Sequence, residues 1–333
     1  MEQFNRLSDK KRIIDKKLIA QILSNYFDNV CKFKYSLINQ GLENLSYLIT
    51  LDNKKFVLRI YNDRQFGKYN RSEREIRQEL EFMDCLTTHN LPVPEIIKTK
   101  IGKLFSAVSL QNKSHFVALF SFVSGKEVKI FNMPKIRAVA NLQANMHIIA
   151  EGHIKPRRRI NGHLGHQKWQ REILEDAKPV HHDLLFRQYK KMALEISKII
   201  KSIKAESLVK LFVHTDVHEG NMRFQGNRVR GLFDFDDARV SIVPEDIGMF
   251  LSVILKSGDL ISKKNKADVY FKQYEKVRKL SDYEKYLSLI FAIEKRLVYK
   301  LHRIKIEIET SEFDKKSYEK ALRSMRVIKK LAK

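Results

Sequence analysis

Residues 211–238, LFVHTDVHEGNMRFQGNRVRGLFDFDDA, limit what this chain can fold into more tightly than any other stretch. Leu211-Phe212-Val213 reads as a short buried strand, and His214-Thr215-Asp216 follows directly. Asn221 stands five residues after Asp216, and a second apolar strand over 229–233 delivers Asp234 between Phe233 and Phe235. A carboxylate at the end of an apolar strand is costly unless a cation or hydrogen bonds compensate it. The chemistry that fits H-x-D-x-x-x-x-N, a hairpin and a further Asp is phosphoryl transfer. That reaction needs a carboxylate to orient the attacking hydroxyl and oxygen ligands for Mg²⁺ on the nucleotide phosphates. Asp216 suits the first task as catalytic base, and Asn221 and Asp234 suit the second. Spacing alone also allows a polar turn between two strands. His214 and His218 are four apart, but no third ligand falls at a zinc-like spacing, so His214 reads as a packed residue that shapes the loop.

Upstream, periodicity predicts a helix over 9–27, strands over 33–38, 47–51 and 55–61, and a helix over 72–87. The 72–87 helix buries Ile76, Leu80, Met83 and Leu86, and Glu79 falls on the same face. A buried acid needs a partner. Arg59, in the third strand, is the natural candidate, although Glu79 also fits the stripe's edge, reaching water. Two more strands follow over 104–110 and 115–122, joined by a turn at 111–114. The chain at Phe120 to Phe122 has the position of a hinge whose backbone groups hold adenine; a plain edge strand reads equally well there.

Beyond residue 133 the periodicity turns helical: 135–150, 183–204, 244–255, 267–279, 281–308 and 315–332, with 239–243 read as a loop. Pro244, Glu245 and Asp246 suit a helix N-terminus. His147 reads as packed or hydrogen-bonded. The loop 155–169 is rich in Arg and His, and Arg158, Arg159 and Asn161 are candidates for contacting a polar or acidic substrate group, with a solvated basic loop as the alternative.

HTDVHEGNM followed by GLFDFDDA resembles the HGDLHPGN…IDFDDA signature of the aminoglycoside phosphotransferase and choline kinase superfamily, nearest its type II homoserine kinase and stress-response kinase branch. The L-P-V-P phrase at 91–94 and LQANMHIIA, similar to that family's L-A-x-L-H helix, extend the resemblance to most of the chain. It implies an α+β, two-lobed protein-kinase-like fold. A small five-stranded antiparallel lobe would occupy 1–122 with its leading helix, and a larger, mainly helical lobe 123–333. The loop after the first strand resembles the family's nucleotide loop, which implies ATP contacts at Gln40, Gly41, Asn44 and Ser46. Arg59 stands where kinase-like folds place a basic residue on the phosphates, with Glu79 as its partner and Phe120 and Phe122 beside adenine. Asp236 stands beside the metal or the substrate. Asp246 resembles the Asp that braces the catalytic loop.

The implied reaction moves the γ-phosphate of ATP, with Mg²⁺, to a hydroxyl of a homoserine- or choline-like amino alcohol. Alternatives are an aminoglycoside or other antibiotic, a protein Ser/Thr acceptor of the stress-response type, and a non-catalytic nucleotide- or RNA-binding protein on the same scaffold. Charge bears on the choice. The net charge is +25, but Lys and Arg are spread over the whole chain and mixed with Asp and Glu. That pattern reads as solvated faces rather than a nucleic-acid or membrane surface. No apolar run reaches membrane-span length, and residues 1–17 lack a signal core, so no membrane partner is expected. Cys31 and Cys85, the only cysteines, need not pair, which suggests a reducing cytoplasm. A monomer or homodimer is expected.

Overall fold

The computed structural model describes residues 14–38, 44–61, 71–110, 113–153, 184–204, 207–309 and 314–332. The chain forms two compact units, one of Met1–Asp84 and Pro94–Val123, the other of Cys85–Val93 and Ser124–Lys333.

The first unit carries α1 (Lys16–Leu23), β1 (Phe33–Leu37), β2 (Leu45–Leu51), β3 (Lys54–Ile60), β4 (Ile96–Ile97), β5 (Ser106–Leu110) and β6 (Lys113–Ser121). The strands make one antiparallel sheet, ordered β1-β2-β3-β6-β4, with β5 also on β6. This is one strand more than the five expected. The addition, β4, is two residues long, too short to show alternation in sequence. Asp52 and Asn53, both at positive φ, make the β2–β3 turn, a conformation these residues tolerate and one that matches strand twist. Phe56, Leu58 and Ile60 of β3 point to one face with Tyr47, Ile49 and Leu51 of β2, and Ile19, Ile22 and Leu23 of α1 complete that core. Val57 and Arg59 take the opposite face. The first helix is shorter than the expected 9–27. Asp15 caps it, accepting from the Leu18 N–H at 2.7 Å.

Helix α2 (Glu73–Thr88) starts at a capping box, Ser72 and Glu75 bonding each other's backbone N–H. It ends where Asn90 turns left-handed and Leu91 N–H returns to Leu86 O at 3.0 Å, just before Pro92.

The second unit holds α3 (Met133–His153), α4 (Leu184–Lys201), β7 (Lys210–Val213), β8 (Met222–Gln225), β9 (Arg228–Leu232), β10 (Arg239–Ile242), α5 (Val243–Ile254), α6 (Leu260–Tyr274), α7 (Asp282–Glu309) and α8 (Lys315–Leu331). The loop expected at 239–243 is instead mostly β10, which pairs antiparallel with β7, Arg239 opposite Val213 and Ile242 opposite Lys210. Strand β7 is buried and needs ladder partners for its backbone. Four residues with one apolar alternation gave little sign of that in sequence. Among the described residues, no helix is long and apolar enough to cross a membrane.

Helix α5 is the buried axis of this unit: Met249 is the one residue of its twelve that is not buried. Gly248 lets it approach α7. A Cβ there would stand 2.4 Å from Phe291 Cβ and 2.9 Å from Ser288 O. Gly248→Ala should therefore destabilise the fold by about 1–3 kcal/mol through overpacking. Thermal unfolding would show it, and an unchanged midpoint would mean that the two helices part without cost.

The C-terminal carbonyls of α5 are met by cations, as the helix dipole favours. Arg296 Nη1 reaches Ser252 O at 3.2 Å and Lys266 Nζ reaches Ile254 O at 3.2 Å. Lys263 Nζ donates to Leu255 O and, at 3.0 Å, to Ser324 Oγ. Lys263 is wholly buried. Burial first, then the nearby charges of Arg296 and Lys266, lower its pKa from 10.5 to about 8. The unfolded chain still holds that proton up to about pH 10.5. This lysine therefore costs stability in full below pH 8, and the cost fades as pH climbs toward 10.5. Between about pH 7.5 and about pH 10 the wild type should gain about 2 kcal/mol on Lys263→Met. Urea midpoints at the two pH values test this, and parallel changes in both proteins would refute it.

Candidate active site

In the second unit the end of β7 leads into a turn built around Asp216. His214 is fully buried and both ring nitrogens are engaged. Nδ1 accepts from the Asp216 N–H at 3.2 Å, so the proton sits on Nε2, which donates to Phe233 O at 3.2 Å. The ring also packs on Phe235, with centroids 4.3 Å apart. This is a shaping residue, with no nitrogen left for a metal. Thr215 then takes φ +61, a left-handed conformation uncommon outside glycine. Its N–H donates to Asp246 Oδ1 at 2.5 Å.

Asp246 is wholly buried in the first turn of α5. Its Oδ2 accepts from Gln143 Nε2 at 2.8 Å and from His147 Nε2 at 3.0 Å. Gln143 Oε1 in turn accepts from Tyr270 at 2.8 Å, and His147 Nδ1 meets Tyr274 OH at 2.7 Å. The acceptors lie four apart on α3 and the tyrosines four apart on α6, so each helix presents one face to the network. Burial pushes the Asp246 carboxyl up, but the His147 hydrogen bond and charge, with His214 and Gln143, outweigh it and leave it below the ordinary range.

Asp216 is half-buried. Its Oδ2 receives Asn221 Nδ2 at 2.8 Å and His218 Nε2 at 3.3 Å. Gly220 N–H points at His218 Nδ1 from 3.0 Å. Burial raises the Asp216 pKa, yet the His218 bond and charge, helped by His214 and Lys295, bring it down to about 2. The same contact works on His218: burial lowers its pKa, and Asp216, Glu219 and Asp234 more than restore it, leaving it raised. His218 is a site residue that sequence reading did not assign. Its signal was its position two residues after Asp216, on the same tight turn.

Asn221 ends a short 3₁₀ turn, Glu219–Asn221. The Phe233 N–H donates to Asn221 O at 3.0 Å while Phe233 O accepts from His214. The residue before Asp234 is thereby stitched on both sides to the turn bearing Asp216. Asp234 follows at φ +68, and Asp236 lies in the turn closed by Ala238 N–H on Phe235 O at 2.9 Å. Asn221 Nδ2 bonds both Asp216 O and Asp216 Oδ2, which turns Asn221 Oδ1 the other way. No cluster of three or more His, Cys, Asp or Glu metal ligands occurs among the described residues. One amide oxygen and one carboxylate instead suit Mg²⁺, which keeps several of its waters.

In the first unit, the strand register places Arg59 between Ser46 on β2 and Ala118 on β6. Asn44 immediately precedes β2. Glu79 is fully buried and meets a cation the sequence reading did not name, Arg71 Nη1, at 2.5 Å, and also accepts from Tyr61 OH at 3.1 Å. Arg71 lies on Tyr61 as well, 5.6 Å from the ring centroid. Phe120 is buried opposite Val57 and Ile96; Phe122 is exposed beneath Lys55 Nζ, 5.6 Å from its ring. Gln40, Gly41, Arg158, Arg159 and Asn161 lie outside the described residues.

Residues 34–281 match the phosphotransferase enzyme family. Among curated proteins, the chain is 24% identical over 241 residues to a homoserine kinase of Zymomonas mobilis subsp. mobilis, covering 70% of this chain and 69% of that one. It is 25% identical over 275 residues to a homoserine kinase of Bradyrhizobium diazoefficiens, covering 80% and 77%. Among solved structures, an amicoumacin kinase in complex with AMP-PNP, Ca²⁺ and Ami superposes with a TM-score of 0.65 at 16% identity, over 96% of this chain and 93% of that one. A microcompartment-associated aminopropanol kinase gives 0.62 at 18% identity, over 96% of each chain. A choline kinase from Cryptosporidium parvum Iowa II gives 0.61 at 16% identity, over 95% and 96%. These likenesses establish a kinase-like fold for the chain.

Proposed function

The chain belongs to the phosphotransferase enzyme family, and on that premise we propose that it transfers the γ-phosphate of ATP to the hydroxyl of a small amino alcohol of the homoserine or choline kind. The observation that carries this reading is the Asp216 turn. An ionised carboxylate, held by His218 and Asn221, stands on the turn to which the Asp234 loop is stitched. Asp216 orients the acceptor hydroxyl. With a pKa of about 2 it is a weak base, so it takes the proton late, which suits a loose transition state with little bond formation to the nucleophile. Asn221 Oδ1 and Asp234 would hold Mg²⁺, which when bound neutralises charge on the phosphates. Arg59 is the phosphate clamp in this reading, and Glu79, fixed by Arg71 and Tyr61, stands on the helix beside it.

The amino-alcohol acceptor is supported by the homoserine kinase relatives. A net charge of +25 opposes a polycationic antibiotic. The test is ADP release with Mg²⁺ and ATP across homoserine, choline, ethanolamine, 1-amino-2-propanol, aminoglycosides and a generic protein. Turnover with one of the amino alcohols is expected. Turnover with the aminoglycosides or the protein alone, or with no acceptor, would overturn the assignment.

A further inference from the structure

Thr215 and Asp234 both hold left-handed backbone, each at a cost of about 1–3 kcal/mol for a non-glycine residue. Such conformations persist where the surroundings over-determine them. Around Thr215 the surroundings are specific. Asp246 takes its N–H. Its hydroxyl donates to Asp237 O at 2.8 Å and accepts from Arg239 Nη1 at 2.9 Å. The same Nη1 lies 3.3 Å from Asp237 O, and Nη2 donates to Glu245 Oε1 at 2.6 Å. Glu245 is buried. Ser241 Oγ donates to its Oε2, and Lys295 Nζ lies 3.8 Å from Oε1.

Two consecutive acids in the first turn of α5 therefore grip one threonine: Asp246 by its backbone, Glu245 through Arg239 by its hydroxyl. Thr215 immediately precedes Asp216, and Asp237 is three residues past Asp234. From this geometry we infer that Arg239 is a positioning residue, forming with Thr215 and Glu245 a latch that fixes the Asp216 turn against the Asp234 loop. The inference rests on the roles given to Asp216 and Asp234 above. The planar fork of arginine explains the residue type, since one guanidinium reaches the hydroxyl, the carbonyl and the carboxylate from two nitrogens in fixed directions.

The test uses the full chain and two readouts, steady-state kinetics with whichever acceptor turns over and amide exchange at Asp216 and Ala238 without substrate. Arg239→Met should lower kcat roughly 10- to 100-fold, the scale of an ångström-sized misplacement, while KM for ATP stays within about twofold. Exchange at Asp216 and Ala238 should rise about tenfold or more while amides of α5 and α7 keep their protection. Arg239→Lys should recover part of both effects. Thr215→Val should match Arg239→Met, the double variant should be no worse than either, and Thr215→Ser should stay near the wild type. Unchanged exchange in Arg239→Met, or losses that add in the double variant, would overturn the latch. Faster exchange in Arg239→Met alongside full activity in Asp216→Ala would support the latch while striking down the assignment of Asp216.

Discussion

Asp216→Ala should reduce phosphoryl transfer by at least about 10³-fold while leaving the fold in place. The carboxylate is half-exposed, and its partners, His218 and the Asn221 amide, reach water when it is removed, so no buried group is stranded. The thermal midpoint should move little, and ATP binding should persist, because neither Asn221 nor Asp234 is altered. Three measurements decide this: turnover, nucleotide affinity and thermal unfolding. Wild-type turnover in Asp216→Ala would end the assignment of this residue. A collapsed midpoint would show instead that the turn carries structural weight that its exposure does not indicate.

Asp246→Ala should give the opposite signature. Here the side chain is wholly buried and receives the Thr215 N–H, Gln143 and His147 together. Its removal strands three buried donors and frees a residue held at φ +61. The loss of one partner from a buried polar network costs about 3–5 kcal/mol. That is a fall on the order of 10 °C in the midpoint for a unit of this size. Activity would fall too, but as a consequence of the displaced turn. A midpoint within about 1 °C of the wild type would mean that water or a rearranged Gln143 satisfies the stranded groups.

Much of this site could be read along the chain because its parts are close in sequence. Asp216, Asn221 and Asp234 fall on one strand–turn–hairpin stretch, where spacing translates directly into geometry. The partners brought in from elsewhere were harder to see. Glu79 was legible as a buried acid in need of a cation, and Arg71 was not legible as that cation, since a residue just outside a helix has no periodicity to place it. Asp246 was read as a brace from resemblance, while Gln143, Tyr270 and Tyr274 come from two other helices, and only tertiary packing brings them to it. Strand β10 was taken for a loop because its partner, β7, lies more than twenty residues upstream and the ladder between them leaves no local trace. Arg239 was hidden by the same error: a loop arginine reads as solvated, whereas a strand arginine beside Glu245 has a fixed direction.

The apolar body of α5, with acids at its first turn and cations at its last, ties the reactive turn to the most deeply packed element of its unit. Heat inactivation then has no early, reversible stage in which the loop wanders while the core stays intact. Activity and compactness disappear in one cooperative step. Selection for work at another temperature would have to act on the interior that carries α5, since the turn has little independent freedom to be tuned.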